Sequence, residues 1–198
     1  MNPSTVTPER LLLQRGRILE GVTLGWNAVG IVVLAIAAVS ARSVALAGFG
    51  LDSLIEIGAS TVVLWELSGT GEDRQRRALK LIGISFVALV VYLAVQSSLV
   101  LSAQYHPHHS LLGIVWTAVT AVVMFSLAAG KTHTGRALAN PVLITEGRVT
   151  TIDGVLAGAV LLGLVLNALC GWWWADPLAA YVLVYYGGKE AWELLHER

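Results

Sequence analysis

The stretch ALAGFGLDSLIEIGAS, Ala45 to Ser60, is apolar on both flanks and carries two acids, Asp52 and Glu56, near its middle. It lies inside a run, Ser43–Leu67, that is long enough to cross a bilayer, for which about 20 predominantly apolar residues suffice. An ionisable side chain at that depth costs about 2.5–3.5 kcal/mol on insertion scales. A spacing of four residues places both acids on one helical face, one turn apart. Two such carboxylates repel one another unless protonated, paired with a base or bridged by a cation.

The rest of the chain has the same character. Of 198 residues, 56% are hydrophobic and 13% charged, against about 25% charged in an ordinary soluble domain. Mean hydropathy is +0.70. These values predict an all-α, multi-pass membrane protein. Six segments reach spanning length: Ile18–Ser40, Ser43–Leu67, Leu79–Ala103, Ser110–Gly130, Pro141–Gly171 and Pro177–Leu194. Asn140 as N-cap and Pro141 at the first helical position mark the start of the fifth. The breaks carry turn and charge signals: SGTGEDRQRR, YHPHH, GKTHTGRALAN and GWWWADP. The organisation read from this is a cytoplasmic segment 1–17, a six-span domain 18–194 and a short tail 195–198 with no soluble domain after it. The N-terminus lacks the pattern of a removable signal peptide.

Net charge is zero, so no basic surface recommends nucleic acid as a partner. The single cysteine, Cys170, excludes an internal disulfide and a Cys-based zinc cluster within the chain. Lysines and arginines fix an orientation. Arg10, Arg15, Arg17, Arg74, Arg76, Arg77, Lys80, Lys131, Arg136, Arg148, Lys189 and Arg198 fall on one side, and Arg42 on the other. Both termini are therefore expected in the cytoplasm. Trp26, Trp172, Trp173 and Trp174 suit an interfacial belt.

Asp52, Glu56 and Asp153 are the candidate cation ligands, since every basic residue maps to the end of a span and none is placed to neutralise them. A single buried acid is often a neutral, hydrogen-bonded packing residue, but three acids on two spans without a basic partner strain that account. Glu66 ends the second span and reads as an interfacial charge. Glu20 and Glu146 lie in the first turns of spans one and five, where acids are favoured by the helix dipole. Each also shares a face with a polar residue seven positions on, Asn27 and Asp153. An acidic pathway from the cytoplasm is the alternative. His106, His108 and His109 in an outer loop, and His133 in the fourth, are metal donors by type or simple polar loop residues. Gly21-x-x-x-Gly25 and Gly154-x-x-x-Gly158 predict close helix packing.

SVALAGFGLDSLIE in span two resembles the second-span signature of the cation diffusion facilitators, in which an Asp is followed four residues later by another acid. ITEGRVTTIDGVLAGAVLL and WWWADPLAAYVLVYYGGKEAWELL resemble that family's last two spans, and Asn27 matches a polar residue common in its first. The resemblance runs from about Arg15 to Leu194. It implies a six-helix cation-efflux bundle, not an enzyme and without a prosthetic group, that exports divalent metal by proton antiport. It also implies alternating access around Asp52, Glu56 and Asp153, and homodimerisation near span three.

Two departures bear on the metal. Members carry His or Asp four residues before the span-five Asp, where this chain has Val149, and Glu56 stands where Asp is usual. Thr150, Asn27, Glu146 or water would complete an all-oxygen set, which leans toward manganese or another hard ion over zinc. A non-transporting metal sensor or partner-binding module, and an organic-cation transporter, are the other classes open to this sequence. The membrane is expected to be the plasma (inner) membrane if the cell is bacterial.

Overall fold

The computed structural model describes residues 8–41, 43–68, 72–104 and 108–196. They form α1 (Pro8–Ala41), α2 (Val44–Leu67), α3 (Glu72–Ala103), α4 (Leu111–Ala137), α5 (Pro141–Cys170) and α6 (Ala175–His196). No strand occurs among the described residues. Glu9–Ala41, Arg76–Ala103, Leu111–Ala137 and Pro141–Cys170 are long and apolar enough to cross a membrane. Arg42 and His106 lie outside the described residues, as do 1–7 and 197–198.

Three helix starts are fixed by side-chain caps, which supply an acceptor for an amide that has no partner within its helix. Ser43 accepts from Leu46 N at 3.2 Å, Ser110 from Gly113 N at 3.0 Å, and Asn140 from Leu143 N at 2.9 Å. Asn140 caps α5 ahead of Pro141, as the sequence predicts. Its amide also donates to Glu66 at 3.1 Å, tying the end of α2 to the start of α5. Glu66 is therefore buried and hydrogen-bonded rather than a free interfacial charge. Arg17 donates to the Leu67 carbonyl at 2.8 Å, satisfying a group that α2 leaves open at its end. At the other end of α5, Gly171 takes φ 70°, a conformation that glycine adopts without steric cost.

Asn140→Ala is expected to cost about 1–2 kcal/mol, since it removes the cap and the donor to Glu66 together. Thermal unfolding in detergent checks this. Asn140→Ser restores the cap alone and should recover about half of the loss.

Helices α1, α2, α5 and α4 close a ring, each packed on the next, while α3 and α6 pair with one another outside the α2–α5 edge. Ser98 and Tyr181 hydroxyls meet at 2.6 Å in that outer pair. The distribution of polarity is inverted relative to a soluble bundle. Ile18, Val22, Val29, Val32, Val39, Leu99, Val122 and Leu162 are exposed on the outside. Glu20, Asn27, Asp52, Glu56, Thr120, Lys131, Glu146, Thr150 and Asp153 are buried within. Only a hydrocarbon surround makes that arrangement favourable.

Close approach of α4 and α5 rests on Gly154, which the sequence spacing singles out, and on Gly135 and Gly147, which it does not. A Cβ on Gly147 would collide with the Thr132 hydroxyl and lie 3.0 Å from the Thr132 amide nitrogen. One on Gly135 would lie 2.8 Å from the Ile144 nitrogen. Gly154 meets the Phe125 ring at 3.3 Å, as expected of a packing glycine. Gly21, Gly25 and Gly158 meet nothing within 4 Å, so the first Gly-x-x-x-Gly pair is not a helix contact in this chain. Trp26 likewise leaves the expected belt. It stacks on Trp116 at 4.9 Å and donates to Thr120 at 3.2 Å, joining α1 to α4.

Candidate functional site

The buried stripe of α1 is Gly16, Glu20, Thr23, Asn27, Gly30, Leu34, Ala37 and Ala41, spaced three or four residues apart. That spacing holds Glu20 and Asn27 on the one face that looks into the ring. On α5, Val142 and Val149 join an apolar cluster with Val63, Ile82, Phe86 and Ala191. The adjacent face carries Glu146, Thr150 and Asp153. Val149 is therefore an apolar packing residue.

At the deepest level, Asp52 of α2 and Asp153 of α5 are buried side by side across the α2–α5 seam, close enough to interact. Each keeps one buried oxygen, Oδ2, without a hydrogen-bond partner among the described residues. Glu56, one turn along α2, accepts from the Thr150 hydroxyl at 2.9 Å. Among the described residues no three His, Cys, Asp or Glu side chains converge closely enough to hold a metal ion. Two oxygens of the Asp pair face the interior unpartnered, and the Thr150 hydroxyl holds the third acid.

Nearer the end where α1 and α5 begin lies a group that the sequence reading placed elsewhere. Lys131 is 0% exposed. Its Nζ lies 3.0 Å from Glu20 Oε2 and 3.1 Å from Glu146 Oε1, and donates to Thr150 Oγ1 at 2.9 Å. Ser60 of α2 donates to the same Glu146 oxygen at 3.2 Å. This overturns the expectation that no basic side chain reaches the interior. Polar GKTHTGRA ends the hydropathic span at Gly130, but α4 continues to Ala137 and carries Lys131 inward. A signal was present: Thr117, Thr120, Met124, Lys131 and Thr134 all fall on one helical face, and all are buried. Glu20 and Glu146 are thus ion-paired interior groups rather than dipole charges, although the faces they share with Asn27 and Asp153 are as expected.

Asn27 shares the inward face of α1 with Glu20, whereas the histidines lie apart from this column. Asn27 donates to the Thr23 carbonyl at 3.1 Å and is buried within the α1 stripe. His108 and His109 are exposed, and His133 is exposed on α4 rather than in a loop. Past the Asp pair, Leu34, Ala37, Leu46, Phe49, Leu156 and Val160 form an apolar cluster. The polar column therefore runs from one end of the ring to Asp52 and Asp153 and stops against apolar side chains.

Residues 79–198, more than half of the chain, match the family described as the cation efflux transmembrane domain. The chain belongs to the cation efflux family. Its members are transporters and not enzymes. The chain is 26% identical over 152 residues to Transmembrane protein 163 of Xenopus laevis, covering 72% of this chain and 54% of that protein. It is 35% identical over 83 residues to the Cation-efflux pump FieF of Shewanella oneidensis, covering 42% of this chain and 28% of that one. It thus spans about half the length of the first relative and just over a quarter of the second. Family membership and the apolar helices together make this an integral, multi-pass membrane protein.

Proposed function

We propose that this cation efflux domain exports divalent metal cations, of the zinc, manganese, iron or cobalt class, from the cytoplasm in exchange for protons. The observation that carries the reading is the buried Asp52–Asp153 pair, with one unpartnered carboxylate oxygen on each side of the α2–α5 seam. Asp52, Glu56 and Asp153 are the ligands proposed, Glu56 joining once it leaves Thr150. Glu20, Asn27, Glu146 and Thr150 line the approach. All donors are oxygens, which suits manganese or another hard ion better than zinc. The relative named as a cation-efflux pump supports the direction of transport. All six helices cross the bilayer in this reading, with both termini cytoplasmic by the excess of lysine and arginine on that side. The transporter works as a homodimer joined near α3, in the plasma (inner) membrane if the cell is bacterial.

Carboxylates bind metal only when deprotonated, so loading an ion expels protons and protonation expels the ion. Apparent metal affinity is expected to fall as pH drops from about 7.5 to about 5.5, by about tenfold per pH unit for each proton displaced. Proteoliposomes loaded with a pH-sensitive dye and given manganese, zinc, iron or cobalt test the proposal. Metal uptake coupled to opposite proton movement supports it. Metal binding without flux would instead make the domain a sensor, and flux without proton movement would remove the antiport.

A further inference from the structure

Lys131 holds a positive charge where a free cation bound for Asp52 and Asp153 has to pass. Its ammonium donates to Glu146 and Thr150 and forms an ion pair with Glu20. The carboxylates are less fully used. Both Glu20 oxygens and Glu146 Oε2 are buried and have no hydrogen-bond partner among the described residues, Glu20 Oε2 meeting Lys131 only as an ion pair. Glu20, Lys131 and Glu146 come from α1, α4 and α5, and Ser60 of α2 completes the layer, so a single polar stratum crosses the whole ring. Thr150 then links this stratum to Glu56, one step short of the Asp pair.

We propose that Glu20 and Glu146 form a second cation site, filled in the empty protein by the ammonium of Lys131, which a divalent ion displaces on its way inward. The inference rests on the transport reading above. Two buried carboxyls stay ionised only beside a counter-charge, because a low dielectric disfavours an unpaired charge. Exchange of one cation for another avoids that state. It also selects for charge. Two carboxylates with one ammonium retain a net negative charge, which a divalent ion neutralises and a monovalent ion does not. Sodium or potassium would replace the ammonium with no electrostatic gain and would lose the tether.

The test uses the full chain in detergent with manganese alone, counting bound ions from the loss of the free-ion electron paramagnetic resonance signal. The parent should bind one ion per chain, lost in Asp52→Asn. Lys131→Met should bind a second ion at least about tenfold more tightly than any second ion in the parent. That second ion should persist in Lys131→Met/Asp52→Asn and vanish in Lys131→Met/Glu146→Gln. No second ion in Lys131→Met, or one that survives Glu146→Gln, overturns the proposal. A first ion indifferent to Asp52→Asn would instead refute the central site and leave the second-site comparison intact. If Lys131→Met does not fold, Lys131→Gln gives the same count. The parent also offers a measurement that needs no variant. Acylation of Lys131, followed by mass spectrometry, should rise several-fold with excess manganese and stay unchanged with sodium, and equal labelling in both would contradict the exchange.

Discussion

Liposomes containing Asp153→Asn are expected to show no metal-driven flux above protein-free background, while the variant purifies and unfolds like the parent. Asn has nearly the shape of Asp and stays polar, so the change leaves neither a cavity nor an apolar group beside Asp52. The negative charge and its free oxygen are lost, and with them the charge-assisted contact a cation would use. Removing about 3 kcal/mol of such interaction lowers affinity by on the order of 100-fold. Asp52→Asn should behave in the same way, because the two acids face each other across α2 and α5. Flux at the parental rate from both variants would remove the pair from the transport path, whatever else the bundle binds.

The second large effect is structural. Gly147→Val should lower the unfolding temperature by about 5–10 °C, corresponding to about 2–3 kcal/mol. The added carbon meets the Thr132 hydroxyl first, which can rotate. Behind it stand the Thr132 nitrogen at 3.0 Å and the Ala128 carbonyl oxygen at 3.2 Å, both backbone, and these yield only if α4 moves away. Gly158→Ala is the control. Nothing lies within 4 Å of that position, and alanine favours a helix interior by up to about 1 kcal/mol over glycine, so the protein should be unchanged or slightly more stable. Equal losses at both positions would show that the α4–α5 crossing is not what glycine protects.

What could be read from the sequence follows from which physical signals are local. Spanning length is a local sum of hydropathy, legible for four of the helices, and the α5 cap is a local pairing of Asn140 with Pro141. The shared face of Asp52 and Glu56 was legible too, since it needs only the pitch of a helix. Lys131 was not legible by the same route. A hydropathy window ends a span where polar residues gather, and GKTHTGRA ends one, yet the hydrogen-bonded helix has no reason to stop there. Which way Lys131 turns depends on Glu20, Glu146 and Thr150 arriving from α1 and α5, far away in sequence. Glu146 looks like a dipole charge in the sequence for the same reason, since its partners are on α2 and α4. The glycines show the limit of spacing alone: Gly21 and Gly25 repeat at the interval of a packing motif but point away from every neighbour, while Gly147 and Gly135 have no such repeat and sit against backbone.

The glycine-lined crossing also divides the two carboxylates that hold Lys131. Gly135, Gly147 and Gly154 press α4 and α5 together along most of their length, so these two helices travel as one body. Glu146 belongs to that body and keeps its distance from Lys131 however the ring shifts. Glu20 belongs to α1, which meets α4 through softer contacts such as the Trp26–Trp116 stack. Any rocking of α1 and α2 against α4 and α5 therefore stretches one of the two ion pairs and spares the other. The lysine is riveted to one wall of the passage and only latched to the opposite one, and the latch is the Glu20 contact.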